Sequence, residues 1–131
     1  MLKLDNKVKD LGIGVDIEAI DRFRKLDKID DNLFLNKVFT KNEIDYCFSK
    51  KDPARHLAAR YAGKEAIFKA LSTIDKPNPD YKDAEIFNNK EGAPIARMNC
   101  VEGNNLRVYI SLSHSEDKAI AFAIVMKGQL L

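Results

Sequence analysis

The sequence predicts an α+β domain, and three observations carry that reading. Helix-period segments crowd between residues 20 and 71, the apolar period falls to two beyond residue 83, and a single strand-like run at 11–17 precedes both. That first run alternates. Ile13, Val15 and Ile17 share one face, while Gly12, Gly14 and Asp16 share the other. Two glycines beside an acid leave room on that face for another backbone or a ligand. Residues 20–28 follow as a short helix with a basic side, and 32–38 as a further turn or two of helix. Thr40 with Glu43 spells a capping box, which opens a helix running to about Ser49. Asp52-Pro53 supplies an N-cap and a proline at N1 for the longest helix, ending near Leu71. Residues 72–83 contain Pro77 and Pro79 and read as a loop. Strands are expected at 84–87, 94–100, 106–113 and 119–126, divided by turns at Gly92, at Gly103-Asn104-Asn105 and at residues 115–118. Residues 1–10 read as an N-terminal extension and 11–131 as one domain.

A chain of 131 residues, 45% hydrophobic and 32% charged, has enough apolar mass for a core without staples. Its net charge of +2 comes from 22 basic and 20 acidic side chains. So even a balance argues against a dedicated nucleic-acid binder, as does the absence of aromatic-rich strand motifs. Cys47 and Cys100 have no CxxC spacing, and free thiols suit a reducing cytoplasm. The longest apolar run, residues 119–126, falls far short of the ~20 residues that cross a bilayer. A soluble cytoplasmic protein is expected.

Two acids sit where their neighbours call for apolar residues. Asp16 interrupts the first strand. Glu65 falls in the helical stripe Leu57, Tyr61, Glu65, Phe68. Each has an ordinary explanation: a strand-end acid closing a turn, and a Glu65–Lys69 helix pair worth only ~0.3–0.5 kcal/mol. Taken together they suggest a shared cation. Two carboxylates ~4 Å apart repel by ~4 kcal/mol at an effective dielectric near 20, a cost that a divalent ion removes. With oxygen ligands only, Mg²⁺ fits best, because it leaves positions for water and phosphate. Ser111-Leu112-Ser113-His114-Ser115 ends a strand in a hydroxyl–imidazole–hydroxyl turn. No Gly-x-Ser-x-Gly elbow accompanies it, so phosphate contact is a better use for it than hydrolysis. The basic side formed by Arg22, Arg24, Lys25 and Lys28 is either a solvated helix face or a docking surface for an acidic partner.

Four stretches, in this order, resemble the holo-acyl-carrier-protein synthases, small bacterial 4'-phosphopantetheinyl transferases. They are Gly12-Ile13-Gly14-Val15-Asp16-Ile17; Phe39-Thr40-x-x-Glu43; Arg60-Tyr61-Ala62-Gly63-Lys64-Glu65-Ala66 with Lys69; and Ile110-Ser111-Leu112-Ser113-His114-Ser115. The resemblance implies the α+β fold of that family and transfer of phosphopantetheine from coenzyme A to a serine of apo-acyl carrier protein. It also implies release of adenosine 3',5'-bisphosphate and a role in fatty acid biosynthesis. Mg²⁺ would lie on Asp16 and Glu65, with Lys69 on the pyrophosphate. Arg60, Lys64, Pro94, Ser113, His114 and Ser115 would contact the coenzyme, and Arg22, Arg24, Lys25 and Lys28 the carrier protein. Glu65, Asp16 and a metal-bound water remain alternative proton acceptors. A homotrimer with active sites between subunits is implied as well. The chain departs from the family at 72–79, which lacks the usual glycines, and at Gly92-Ala93-Pro94, where the usual lysine is lost.

Overall fold

A computed structural model describes residues 10–26, 32–74, 79–99 and 105–128. Strand β1 (Leu11–Ala19) leads into a single 3₁₀ turn (Ile20–Phe23), then helices α1 (Leu33–Val38), α2 (Lys41–Phe48) and α3 (Pro53–Ser72). A second 3₁₀ turn (Tyr81–Asp83) precedes β2 (Ala84–Asn88), β3 (Pro94–Met98), β4 (Leu106–His114) and β5 (Lys118–Lys127). The strands form two antiparallel sheets, β1-β5-β4 and the hairpin β2-β3. The α+β expectation holds, and every expected strand is present.

Helix α3 is the axis of the molecule and lies directly on the sheet. A Cβ placed on Gly14 would stand 1.9 Å from the Ala66 carbonyl oxygen, and one on Gly12 2.1 Å from that of Ala70. The glycine face of β1 is therefore where another backbone approaches, as the sequence suggested. Strand β5 completes the contact with fully buried Ala119, Ala121, Ala123 and Val125. Gly63, in mid-helix, is packed tightly too, but a Cβ there would meet only the Cδ1 ends of Ile86 and Ile110, at 2.5 and 2.8 Å, which can shift aside. The opposite face of the sheet carries the large residues. Ile13, Val15 and Ile17 are 52–59% exposed, with Ile120 and Phe122 alongside.

Two expectations need correction. Over its described part, residues 20–26, the helix expected at 20–28 is only a 3₁₀ turn, because the amides of Arg24 and Leu26 bond three residues back, to Asp21 and Phe23, rather than four. Residues 27–31, Lys28 among them, lie outside the described residues, as does Cys100. Asp52 stands at the N-cap of α3 but makes no capping hydrogen bond; its carboxylate binds Arg24 at 2.9 Å instead. The Thr40–Glu43 capping box is present as read. Glu43 does more than cap, however. It is fully buried, accepts from the Ile86 amide at 2.9 Å and pairs with Lys64 at 2.8 Å, tying α2 to β2 and α3.

Candidate active site

The close approach of α3 to β1 brings the two predicted acids into one neighbourhood. Lys69 Nζ donates to Asp16 Oδ1 at 3.1 Å and to the Val15 carbonyl at 3.0 Å. It thus answers Asp16 across the interface rather than Glu65 along the helix. Asp16 Oδ2 is buried without a hydrogen-bond partner. Glu65 Oε1 accepts a 2.5 Å hydrogen bond from the Tyr81 hydroxyl. A third acid, Glu18, lies near the end of β1 and pairs with Arg22 of the following turn at 3.4 Å. Burial first, then the Asp16 charge and a hydrogen bond from the protonated Glu18 to the Asp16 carboxylate, raises its carboxyl to about 7, with Arg22 opposing and Glu65 adding; no amine, amide or hydroxyl donor reaches Asp16 Oδ2. Glu18 thus feels the charge of Asp16 and, more weakly, that of Glu65. Among the described residues no group of three His, Cys, Asp or Glu side chains is placed to hold an ion. A cation here would complete its shell with oxygens from water and substrate.

The predicted coenzyme contacts separate into two sets. Lys64 is corrected: it is fully buried, and its three donors go to Glu43, the Tyr81 carbonyl (2.8 Å) and the Ala84 carbonyl (2.6 Å), leaving none for a ligand. Burial pushes its ammonium pKa down, with Glu43 opposing. Arg60 is nearly buried too, lies 4.2 Å over the Tyr46 ring and donates to Asn88 Oδ1 at 2.6 Å, yet its Nε has no partner. Asn88 in turn donates to the Gly92 carbonyl, which links Arg60 to the turn that precedes Pro94. His56 meets the same Tyr46 ring edge-on, with ring centres 5.8 Å apart. Its pKa is lowered by burial first, then by the charges of Arg60, Lys50, His114 and Arg55. Ser113, His114 and Ser115 are exposed at the end of β4. Beside this basic corner, Arg24, Lys50, Lys51, Asp52, Arg55 and His56 line a groove of about 660 Å³.

The basic side is already partly paired. Arg24 meets Asp21 and Asp52, both at 2.9 Å. Arg22 lies over the rings of Tyr61, Phe23 and Phe34, 5.0–5.8 Å from their centres, while holding Glu18. Lys25 is exposed.

A sequence model of the 4'-phosphopantetheinyl transferase superfamily matches residues 12–124. The chain belongs to that superfamily. Among its relatives, the holo-[acyl-carrier-protein] synthase of Thermodesulfovibrio yellowstonii is 42% identical, the match covering 87% of this chain and 96% of the relative. That of Protochlamydia amoebophila is also 42% identical, with the same two coverages. The solved holo-(acyl-carrier-protein) synthase of Bacillus anthracis, in complex with CoA (3',5'-ADP), superposes with a TM-score of 0.72 at 29% identity, covering 89% of this chain and 96% of that one. The Helicobacter pylori synthase in complex with coenzyme A gives 0.73 at 29% identity, with coverages of 86% and 98%. This phosphopantetheinyl transferase is thus an enzyme with the fold of the synthases. Reading its sequence passed over Glu18, Tyr81, Asn88 and His56. Period-two spacing from Asp16 could have found Glu18 on the same face; the other three meet the site only through tertiary packing.

Proposed function

We propose that this enzyme transfers 4'-phosphopantetheine from coenzyme A to a serine of apo-acyl carrier protein, releasing adenosine 3',5'-bisphosphate, with Mg²⁺ on Asp16 and Glu65. Asp16 is the observation that carries the reading. A carboxylate oxygen buried without a partner is costly, and this one sits in a family of group transferases beside a lysine and two further acids. Both oxygens suit a hard cation. When bound, Mg²⁺ supplies charge neutralisation at the pyrophosphate.

The chain's own groups do the rest. Lys69 spends two of its three N–H donors on Asp16 and the Val15 carbonyl, so the third is available to the departing phosphate. Glu65 is our proton acceptor for the carrier serine, directly or through water, with Asp16 as the competing assignment. Arg60, Pro94, Ser113, His114 and Ser115 hold the coenzyme, and Lys64 is removed from that set. Arg22, Arg24, Lys25 and Lys28 receive the acidic carrier. Arg22 links that face to the acids through Glu18.

The exposed apolar face of β1-β5-β4 supports a homotrimer with sites between subunits, because a patch of this kind marks an interface. We also read the enzyme as cytoplasmic and as serving fatty acid biosynthesis. Incubating the protein with coenzyme A, Mg²⁺ and an apo carrier protein tests the function. The carrier's intact mass should rise by one phosphopantetheine, and an unmodified carrier would overturn the proposal.

A further inference from the structure

Tyr81 is tied down at three points. Its carbonyl accepts from the buried Lys64 ammonium at 2.8 Å. Its ring stacks on Tyr61, with centres 5.8 Å apart and planes 20° apart, and meets Phe68 at 5.0 Å. Asp80 and Asp83 close the turn that carries it through reciprocal capping bonds. Its hydroxyl reaches Glu65 Oε1 at 2.5 Å, a charge-assisted distance, and among the described residues no hydrogen bond reaches Oε2. A glutamate's last torsion is broad and roughly two-fold, so an unrestrained carboxylate samples many orientations. Phe68 gives the same face of α3 an apolar wall that stops Tyr81 from swinging away.

We propose that Tyr81 is the positioning residue of Glu65: its hydroxyl occupies Oε1, fixes the rotation of the carboxylate and leaves Oε2 to the cation or the serine proton. This rests on the function proposed above and deepens it. Tyr81 touches no reacting atom. It removes the search that Glu65 would otherwise make, which is an orientation term of the kind that dominates transfer reactions.

The test is Tyr81→Phe in the full chain, which keeps the ring and deletes the hydroxyl. Losing a hydrogen bond to a charged group is expected to lower kcat by about tenfold, with KM for coenzyme A within about twofold. Mn²⁺ affinity, read by electron paramagnetic resonance without coenzyme, should fall by a similar factor. In the wild type, Mg²⁺ addition should also perturb tyrosine ultraviolet absorption, and Tyr61→Phe, which removes the stacked neighbour's hydroxyl but keeps Tyr81 and Glu65, should retain that signal. The absorption measurement needs no Tyr81 variant and decides the matter if Tyr81→Phe does not fold. Wild-type kcat together with wild-type Mn²⁺ affinity in Tyr81→Phe, or a silent absorption titration, overturns the proposal. A wild type that binds Mn²⁺ but leaves the carrier unmodified would instead sink the functional reading, while the metal and absorption measurements still judge Tyr81.

Discussion

Substituting Gly14 by alanine tests the packing on which the site depends. The new Cβ would lie 1.9 Å from the Ala66 carbonyl oxygen and 2.9 Å from the Ala70 nitrogen, all rigid backbone, whereas ordinary contact begins at 3.4 Å. Helix α3 must therefore retreat from β1 by roughly 1.5 Å, since a packed interior has little slack. Overpacking costs ~1–3 kcal/mol, and a clash with backbone on both sides belongs at the top of that range. For a chain of this size that is a fall in Tm of ~10–15 °C. The same retreat parts Asp16 from Lys69 and Glu65, and a displacement of ~1 Å costs about 10²-fold in rate. Thermal melts by circular dichroism and initial rates of carrier modification measure the two effects. Gly128→Ala is the control. Gly128 has φ +96° and nothing within 4 Å of a new Cβ, so it should lose ~1 kcal/mol through backbone strain alone and keep its transfer rate. A Gly14→Ala protein that melts within ~2 °C of wild type and transfers normally would refute the claim that helix–strand contact assembles the site.

Asp16→Asn and Glu65→Gln should each abolish transfer with native circular dichroism, and near-full activity in either purified variant would remove the metal site. Lys64→Met should leave the buried Glu43 unpaired and cost ~3–5 kcal/mol in urea unfolding; if it lost coenzyme affinity without losing stability, the structural role given to Lys64 would be wrong. Reversing Arg22 and Arg24 to glutamate should raise KM for the carrier and flatten its salt dependence, with coenzyme affinity unchanged. Glu85 is held below its ordinary 4.5, chiefly by the Thr40 hydroxyl and against burial, with Arg97 helping. Its stabilisation is therefore full above about pH 4.5 and is lost as the pH falls through the lower folded value. Glu85→Gln should accordingly be less stable than wild type at pH 7, and in denaturant titrations the gap should narrow as the pH falls below 4.5.

Signals set by neighbouring residues were legible in the sequence. The capping box fixed the start of α2, Asp52-Pro53 that of α3, and alternation after residue 83 located every later strand. The glycine–acid face of β1 also read correctly, because a missing Cβ announces a close approach. What failed depended on partners distant in the chain. Residues 20–28 have helical spacing, but the described part bonds three residues back at Arg24 and Leu26, while its first residue, Ile20, is held to the Asp117 carbonyl almost a hundred residues on. Asp52 has the identity of a cap, yet Arg24 takes its carboxylate. Lys64 lies in a basic run that suggests phosphate, and only the fold shows that Glu43 and two carbonyls consume it. Tyr81 sits in a stretch that read as loop, where nothing local announces a contact with Glu65.

The inverted strand β1 connects chemistry to assembly. A carboxylate on a strand and the Glu65 and Lys69 side chains on a helix meet only if the two backbones come together. That demands glycine and alanine on the inner face of the sheet, as at Gly12, Gly14, Ala119, Ala121 and Ala123. The apolar residues a strand needs for stability are then left to the outer face, where Ile13, Val15, Ile17, Ile120 and Phe122 stand between 41% and 59% exposed. The packing that builds the acid site therefore also creates a surface that water does not suit. If further copies of the chain cover that surface, Val15→Glu and Phe122→Glu, which pair across β1 and β5, should yield a smaller particle by light scattering. Asp16 and Lys69, on the other side of the sheet, would keep their contact. A wild-type chain that is monomeric at every concentration would show that the outer face needs no cover, and would separate the assembly from the chemistry.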